Sequence, residues 1–344
     1  MTILKLSAAA LVASVAFAGA AAARDQIQVA GSSTVLPYAK IVAETFGETF
    51  PNFKTPVVES GGTGAGLKEF CKGVGEATID VANASRPINK SELEACKAAG
   101  VTDVQEVRIG YDGIVFATDS GNGDMKLEPK DLYKALAAEV VVDGKLVSNP
   151  YKNWSEINPT LPKGPIAAYI PGSKHGTREV FEEKIMTEGC KEAGASDVIK
   201  AAITDAKQAA AKCVAVRKDG AAVDIDGDYT ETLARISANK TGLGVFGLAF
   251  YENNKDKLKV ATVKDVVPST ETISSGKYPV SRPLFFYVKK AHLGVIPGLK
   301  EYVEFFISDD MVGPDSPLAQ YGLVAAPDDQ RDAVRKAFAA GKTM

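Results

Sequence analysis

The sequence predicts an α/β protein of two lobes, and three observations carry that reading. Strand-turn-helix units recur along the chain. Their turns are rich in glycine and hydroxyl side chains. The chain's 344 residues also exceed what one hydrophobic core holds, about 250–300 residues. With no low-complexity linker or long repeat in sight, two lobes joined by chain crossings that act as a hinge are expected.

The first unit sets the pattern. Ile27-Gln28-Val29-Ala30 alternates as a strand and breaks at Gly31; Ser32, Ser33 and Thr34 then precede Leu36-Pro37 and an amphipathic segment through Tyr38, Ile41, Val42, Phe46 and Phe50. Such a turn can cap its own helix. It can equally hold an oxyanion, because hydroxyls, free N–H groups and the positive end of the helix dipole all face it. A second unit follows at Val58-Glu59-Ser60-Gly61-Gly62-Thr63-Gly64, where glycines permit close backbone approach and Thr63 supplies a hydroxyl. Residues 78–84 form a third strand that ends in Ser85-Arg86-Pro87. In an open α/β sheet the C-terminal strand ends share the edge where ligands bind, so these three turns should converge.

Further along, residues 106–118 are a strand-like run interrupted by Gly110 and Gly113, residues 124–138 read as helical, and residues 151–159 as a polar loop or short helix around Trp154, a packing residue. Ile166-Ala-Ala-Tyr-Ile170 is a strand that leads into Pro171-Gly-Ser-Lys-His-Gly-Thr-Arg, a fourth unit. It places Ser173, Lys174, His175, Thr177 and Arg178 at a helix start, with two fixed cations and one histidine that can become one. Residues 224–227 share fragments of a calcium loop but lack the rest of its ligand spacing and are read as a turn. Residues 241–251 form a glycine-punctuated strand leading into a helix, residues 278–288 a long returning strand, and residues 299–307 and 328–339 closing helices.

The ends and the composition bound the function. Residues 1–23 run from Lys5 through a short apolar stretch into alanines, which is the pattern of a secretory signal peptide cleaved near residues 20–23. No cysteine lies at that boundary to carry a lipid, and no later stretch is apolar and long enough to span a bilayer, so a soluble, exported, periplasmic chain is expected. A net charge of −3, with no Lys/Arg block, argues against nucleic acid as a partner. The 4 cysteines, Cys71, Cys96, Cys190 and Cys213, form an even set in an exported chain, and without CxxC or His-rich spacing they point to disulfides and no metal. Three pairings are open. The local one, Cys71 with Cys96 and Cys190 with Cys213, would close two loops, each stabilising by about 3 kcal/mol.

Taken together, Gly-Ser-Ser-Thr-Val-Leu-Pro at 31–37, Ser-Gly-Gly-Thr-Gly-Ala-Gly-Leu-Lys at 60–68, Ala-Ser-Arg-Pro-Ile at 84–88, His-Gly-Thr-Arg at 175–178 and Tyr-Pro-Val-Ser-Arg-Pro-Leu at 278–284 resemble the periplasmic phosphate-binding proteins (PstS) of ABC importers. The resemblance covers nearly the whole mature chain, in order. It implies a two-lobed, type II periplasmic binding fold that closes on one oxyanion and hands it to permease subunits in the inner membrane, as a monomer and without a cofactor. Lobe 1 would comprise residues 24–110 plus 285–344 and lobe 2 residues 111–284, with crossings near residues 110–115 and 281–286. Carried over by position, the phosphate ligands would be Ser33, Thr34, Thr63, Ser85 with Arg86 beside it, His175, Gly176, Thr177 and Arg178. Two positions depart from the family pattern. Many members carry Asp where this chain has Ser85, and an Arg shortly before the Ser-Gly-Thr, where this chain has Pro171. A carboxylate accepts the proton of hydrogenphosphate and repels sulfate, so selectivity among phosphate, sulfate, arsenate and phosphonates is left open. Arg86, Arg178, Lys174 or protonated His175 would take the role of the absent Arg.

The rival class is a phosphate-ester hydrolase, whose site would also cradle phosphate. The chain's 2 histidines, His175 and His292, have no Gly-x-Ser-x-Gly elbow and no carboxylate cluster at metal-ligand spacing to work with, so no catalysis is expected.

Overall fold

The computed structural model describes residues 24–173 and 176–344. The signal-peptide reading of residues 1–23 lies outside the described residues, as do Lys174 and His175. Nine strands form one curled sheet. They are β1 (Gln28–Gly31), β2 (Val57–Ser60), β3 (Val81–Ala84), β4 (Val104–Asp119), β5 (Ala168–Pro171), β6 (Ala222–Ile225), β7 (Leu243–Gly247), β8 (Leu258–Val260) and β9 (Ser281–Lys289), in the order β2-β1-β3-β9-β4-β7-β5-β6, with β8 also on β4. β1 runs parallel to β2 and β3. Their C-terminal ends, and the turns that follow, therefore share one edge, as the sequence predicts.

β4 ties the two halves together. It is one unbroken 16-residue strand despite Gly110 and Gly113. Its first half pairs with β9 and its second half with β7 and β8. The β4–β9 ladder shifts register between Leu284 and Phe285, beside Gly110. One core gathers residues 27–109 and 284–338 in two clusters, one including Phe46, Phe286 and Tyr302 and the other Phe70, Phe285 and Tyr287. A second gathers residues 111–280 around Trp154, Phe181 and Phe246, joined by Val324 and Ala326. Each half carries one disulfide, Cys71–Cys96 and Cys190–Cys213, which is the local pairing.

Four helices bear on the site: α1 (Leu36–Thr49), α2 (Thr63–Phe70), α3 (Lys90–Ala98) and α4 (Gly176–Phe181). The helix expected over residues 124–138 is shorter, Pro129–Leu136, because Pro129 presets its first turn and Lys126–Leu127 is drawn into a parallel ladder with Thr262–Val263. Asp224 and Ile225 close β6 rather than opening a turn. Trp154 is packed in the second core.

Two glycines decide how tightly the first two turns meet. A side chain at Gly31, at φ +139°, would fall 2.2 Å from the Asn83 carbonyl oxygen, and one at Gly66 would fall 2.3 Å from the Gly31 Cα. Only glycine lets α2 lie against the end of β1. Gly61 and Gly62 then donate their N–H groups to the Gly31 carbonyl at 3.0 and 2.8 Å, and Ser32 donates to Asn83 at 2.9 Å.

Candidate functional site

The turn after β1 divides its hydroxyls between two tasks. Ser32 is fully buried, and its Oγ accepts from the N–H groups of Thr34 and Val35 at 3.2 and 3.3 Å, which closes the turn ahead of α1. Ser33 and Thr34 point across the junction. Both donate to the Glu179 carboxylate on α4, Ser33 through a short bond and Thr34 at 3.1 Å. Arg282 on β9 completes the cluster: its Nη2 donates to the Thr34 hydroxyl at 2.7 Å and to Glu179 at 3.3 Å, and its Nη1 pairs with Glu183 at 3.2 Å.

Directly across the β4–β9 ladder from Arg282 stands Asp112. It is 3% exposed, and its Oδ2 has no hydrogen-bond partner. Burial pushes its pKa up and Glu179 adds to the rise, while Arg282 and the Gly113 N–H pull it down. Asp112 faces a cavity of about 200 Å³ that is bounded by Thr34, Pro37 and Tyr38 on one wall and by Thr177, Asp228 and Tyr229 on the other, with Tyr321 at its side. Tyr229 shares a hydrogen bond with the Thr177 hydroxyl, and burial drives its phenol well above the ordinary range. The cavity thus sits between the two cores, with a hydroxyl from each wall and a carboxylate on the strand that joins them.

The remaining predicted residues divide. Thr63 opens α2 and bonds to Ser85, accepting the Ser85 N–H at 3.0 Å with the two hydroxyls 3.1 Å apart, so the second and third turns are locked to each other. Arg86 turns away: its guanidinium takes both oxygens of Glu92 at 2.8 and 2.7 Å, at the start of α3. Glu92 holds the Arg86 pKa up, and Arg86 holds that of Glu92 down. Arg178 lies 11% exposed against Glu182, the Pro171 carbonyl and Asp224, at 2.7, 2.9 and 2.5 Å. Gly176 opens α4, one residue before Thr177.

Against known proteins, a family model described as the PBP superfamily domain matches residues 16–310. A phosphate-binding protein PstS from Staphylococcus haemolyticus is 30% identical over 305 residues, covering 87% of this chain and 80% of its own length. The chain belongs to the PstS family. The protein SphX of Synechococcus elongatus is 30% identical over 335 residues, covering 94% of this chain and 84% of its own. Among solved structures, a possible phosphate-binding protein from Planctomyces limnophilus aligns with a TM-score of 0.70 at 29% identity, over 92% of this chain and 99% of that one. PstS from Borrelia burgdorferi, at 19% identity and a TM-score of 0.56, shares the fold. The two-lobed periplasmic binding architecture is therefore that of this chain.

Within a PstS frame the residues that sequence reasoning missed are Asp112, Arg282 and Glu179. Arg282 lies inside one of the motifs that carry the family resemblance, and Asp112 is the acid at the centre of a largely apolar strand. Each left a signal in the sequence, but the strand pairing that sets Asp112 across from Arg282 is made by the chain crossing.

Proposed function

We propose that this protein is a periplasmic receptor that binds inorganic phosphate between its lobes and delivers it to an ABC importer, without catalysis. The lobes comprise residues 24–110 plus 285–344 and residues 111–284, preceded by a cleaved signal peptide over residues 1–23. The receptor acts as a monomer on the permease subunits. The ligand set includes Ser33, Thr34, Thr63, Ser85, Gly176, Thr177 and, outside the described residues, His175. Arg282 supplies the cation in place of Arg86 and Arg178, because its guanidinium bonds the Thr34 hydroxyl, whereas those two guanidinium groups bond carboxylates nearby in sequence.

The observation that carries this reading is Asp112, a buried carboxylate with an unused oxygen facing a cavity that both Thr34 and Thr177 line. Hydrogenphosphate has a P–OH proton to give that oxygen. Sulfate has only acceptors, and against Asp112 it meets unrelieved repulsion. The carboxylate that many members carry at the position of Ser85 is thus replaced from the hinge strand. A dianion in a closed cleft loses its hydration, and charge-assisted hydrogen bonds contributing about 1.5–3 kcal/mol each offset that loss only when both lobes supply donors. Binding therefore favours the closed shape, which a permease can read.

Calorimetric titration of the ligand-stripped protein with phosphate and then sulfate, at pH 6 and pH 8, tests the proposal. Tight phosphate binding with no sulfate response is expected. Equal binding of both anions, or of neither, would refute it, and release of phosphate from a generic ester would show an enzyme instead.

A further inference from the structure

Glu179 holds the donors that an anion would need. One carboxylate receives the hydroxyl protons of Ser33 and Thr34 and a guanidinium N–H of Arg282, and it does so from α4, on the opposite wall of the junction from the turn after β1. A hydroxyl has a single proton to donate, so Ser33 and Thr34 cannot serve Glu179 and an incoming oxyanion at once. Two oxygens, a negative charge and three donors also make up the local chemistry of a bound phosphate edge. Glu179 is 43% exposed at its side chain, so it has solvent to swing into, whereas Arg282, at 7%, does not.

We propose that Glu179 is a tethered stand-in for the ligand: it occupies the Ser33, Thr34 and Arg282 donors in the unliganded protein, holds the two walls together there, and is displaced when phosphate enters. This rests on the phosphate reading above and adds a competitor within the same site. The carboxylate stabilises only the empty state, because in the liganded state its donors belong to phosphate and its charge opposes the dianion. Its removal therefore strengthens binding. A residue that merely oriented the hydroxyls toward the ligand would have the opposite effect.

The test uses the ligand-stripped full chain, with Glu179→Gln as the near-isosteric variant and Glu179→Ala as the full deletion. Each is titrated with inorganic phosphate, and small-angle scattering measures the radius of gyration before any anion is added. The expected result is a Kd about tenfold lower in Glu179→Ala, with a smaller drop in Glu179→Gln, and a more expanded Glu179→Ala protein that compacts on adding phosphate. Weaker or unchanged phosphate binding in both variants would overturn the proposal. If the unmodified protein and both variants alike take up no phosphate, the phosphate reading fails. The stand-in role then fails with it, and the scattering decides only whether Glu179 bridges the two walls: it does if Glu179→Ala expands the anion-free protein and does not if the radius is unchanged.

Discussion

Two buried aspartates, one in each kind of environment, separate what holds this molecule together from what it holds. Asp80 is fully buried at the entry to β3, and every oxygen is spoken for. Its Oδ1 receives Arg24 and His292, each at 2.6 Å, and its Oδ2 receives the Gln28 N–H at 2.8 Å. His292 in turn accepts the Gly75 N–H at Nε2, at 2.9 Å, which assigns its proton to Nδ1 and to Asp80. Asp112 is equally buried but keeps one oxygen unused over a cavity. An unsatisfied buried acceptor costs about 1–3 kcal/mol. Under the proposed function phosphate completes Asp112, so partner count, rather than burial, is what separates the two carboxylates.

The comparison breaks first at Asp80. Removing one member of a buried, hydrogen-bonded charge cluster strands the others, so Asp80→Ala should cost about 3–5 kcal/mol of stability, read as a lowered denaturation midpoint. Phosphate affinity measured well below that midpoint should stay within a few-fold of the unmodified protein. A large loss of affinity with unchanged stability would reverse the two roles.

The two arginine environments should differ by less. Arg282→Ala removes the guanidinium bonded to Thr34 and should weaken phosphate binding about 100-fold, on the order of 2–3 kcal/mol. Arg178→Ala, which releases Glu182 and Asp224 on the far side of α4, should weaken binding by less than about tenfold and act mainly on stability. Side-by-side titrations check the order, and an equal loss in both would return Arg178 to the ligand set.

The smallest expected effect is a pH dependence. The Asp112 pKa is raised above its ordinary 3.8, chiefly by burial, so across that window the folded chain binds more protons than the unfolded one. The stability that Asp112 contributes is complete below the ordinary value and is lost as pH rises through the raised one. Asp112→Asn should flatten this dependence, so the variant gains on the unmodified protein as the pH rises through the window. Denaturant melts of both proteins from pH 4 upward would show it. A gap that narrows with rising pH would mean that the folded state prefers the charged carboxylate.

Much of this was legible from local pattern. Strand alternation, glycine-hydroxyl turns and the even cysteines specify elements whose partners lie nearby in sequence, and the three turns converge because parallel strands put their ends on one edge. The site was less legible, since its defining contacts are remote. Thr34 and Arg282 lie 248 residues apart, and Asp112 meets Arg282 only because β4 and β9 pair where the chain crosses between cores. Gly110 and Gly113 also made that crossing read as an interrupted strand, which hid the acid at its centre. Arg86 and Arg178 attracted attention as cations near turns, yet each has a carboxylate within six residues, Glu92 and Glu182, and those local pairs form. A cation with a ready neighbour in sequence is a weaker ligand candidate than one without.

The most direct test is the ratio of phosphate to sulfate affinity, measured by calorimetry on the ligand-stripped protein and on Asp112→Asn at one pH near neutrality. With Asp112 as the acceptor of the phosphate proton, the unmodified protein binds phosphate and ignores sulfate, while the variant loses affinity for phosphate, gains it for sulfate, and discriminates about 100-fold less. An Asp112→Asn protein that still rejects sulfate as firmly as the original would contradict the account and place the selective group elsewhere.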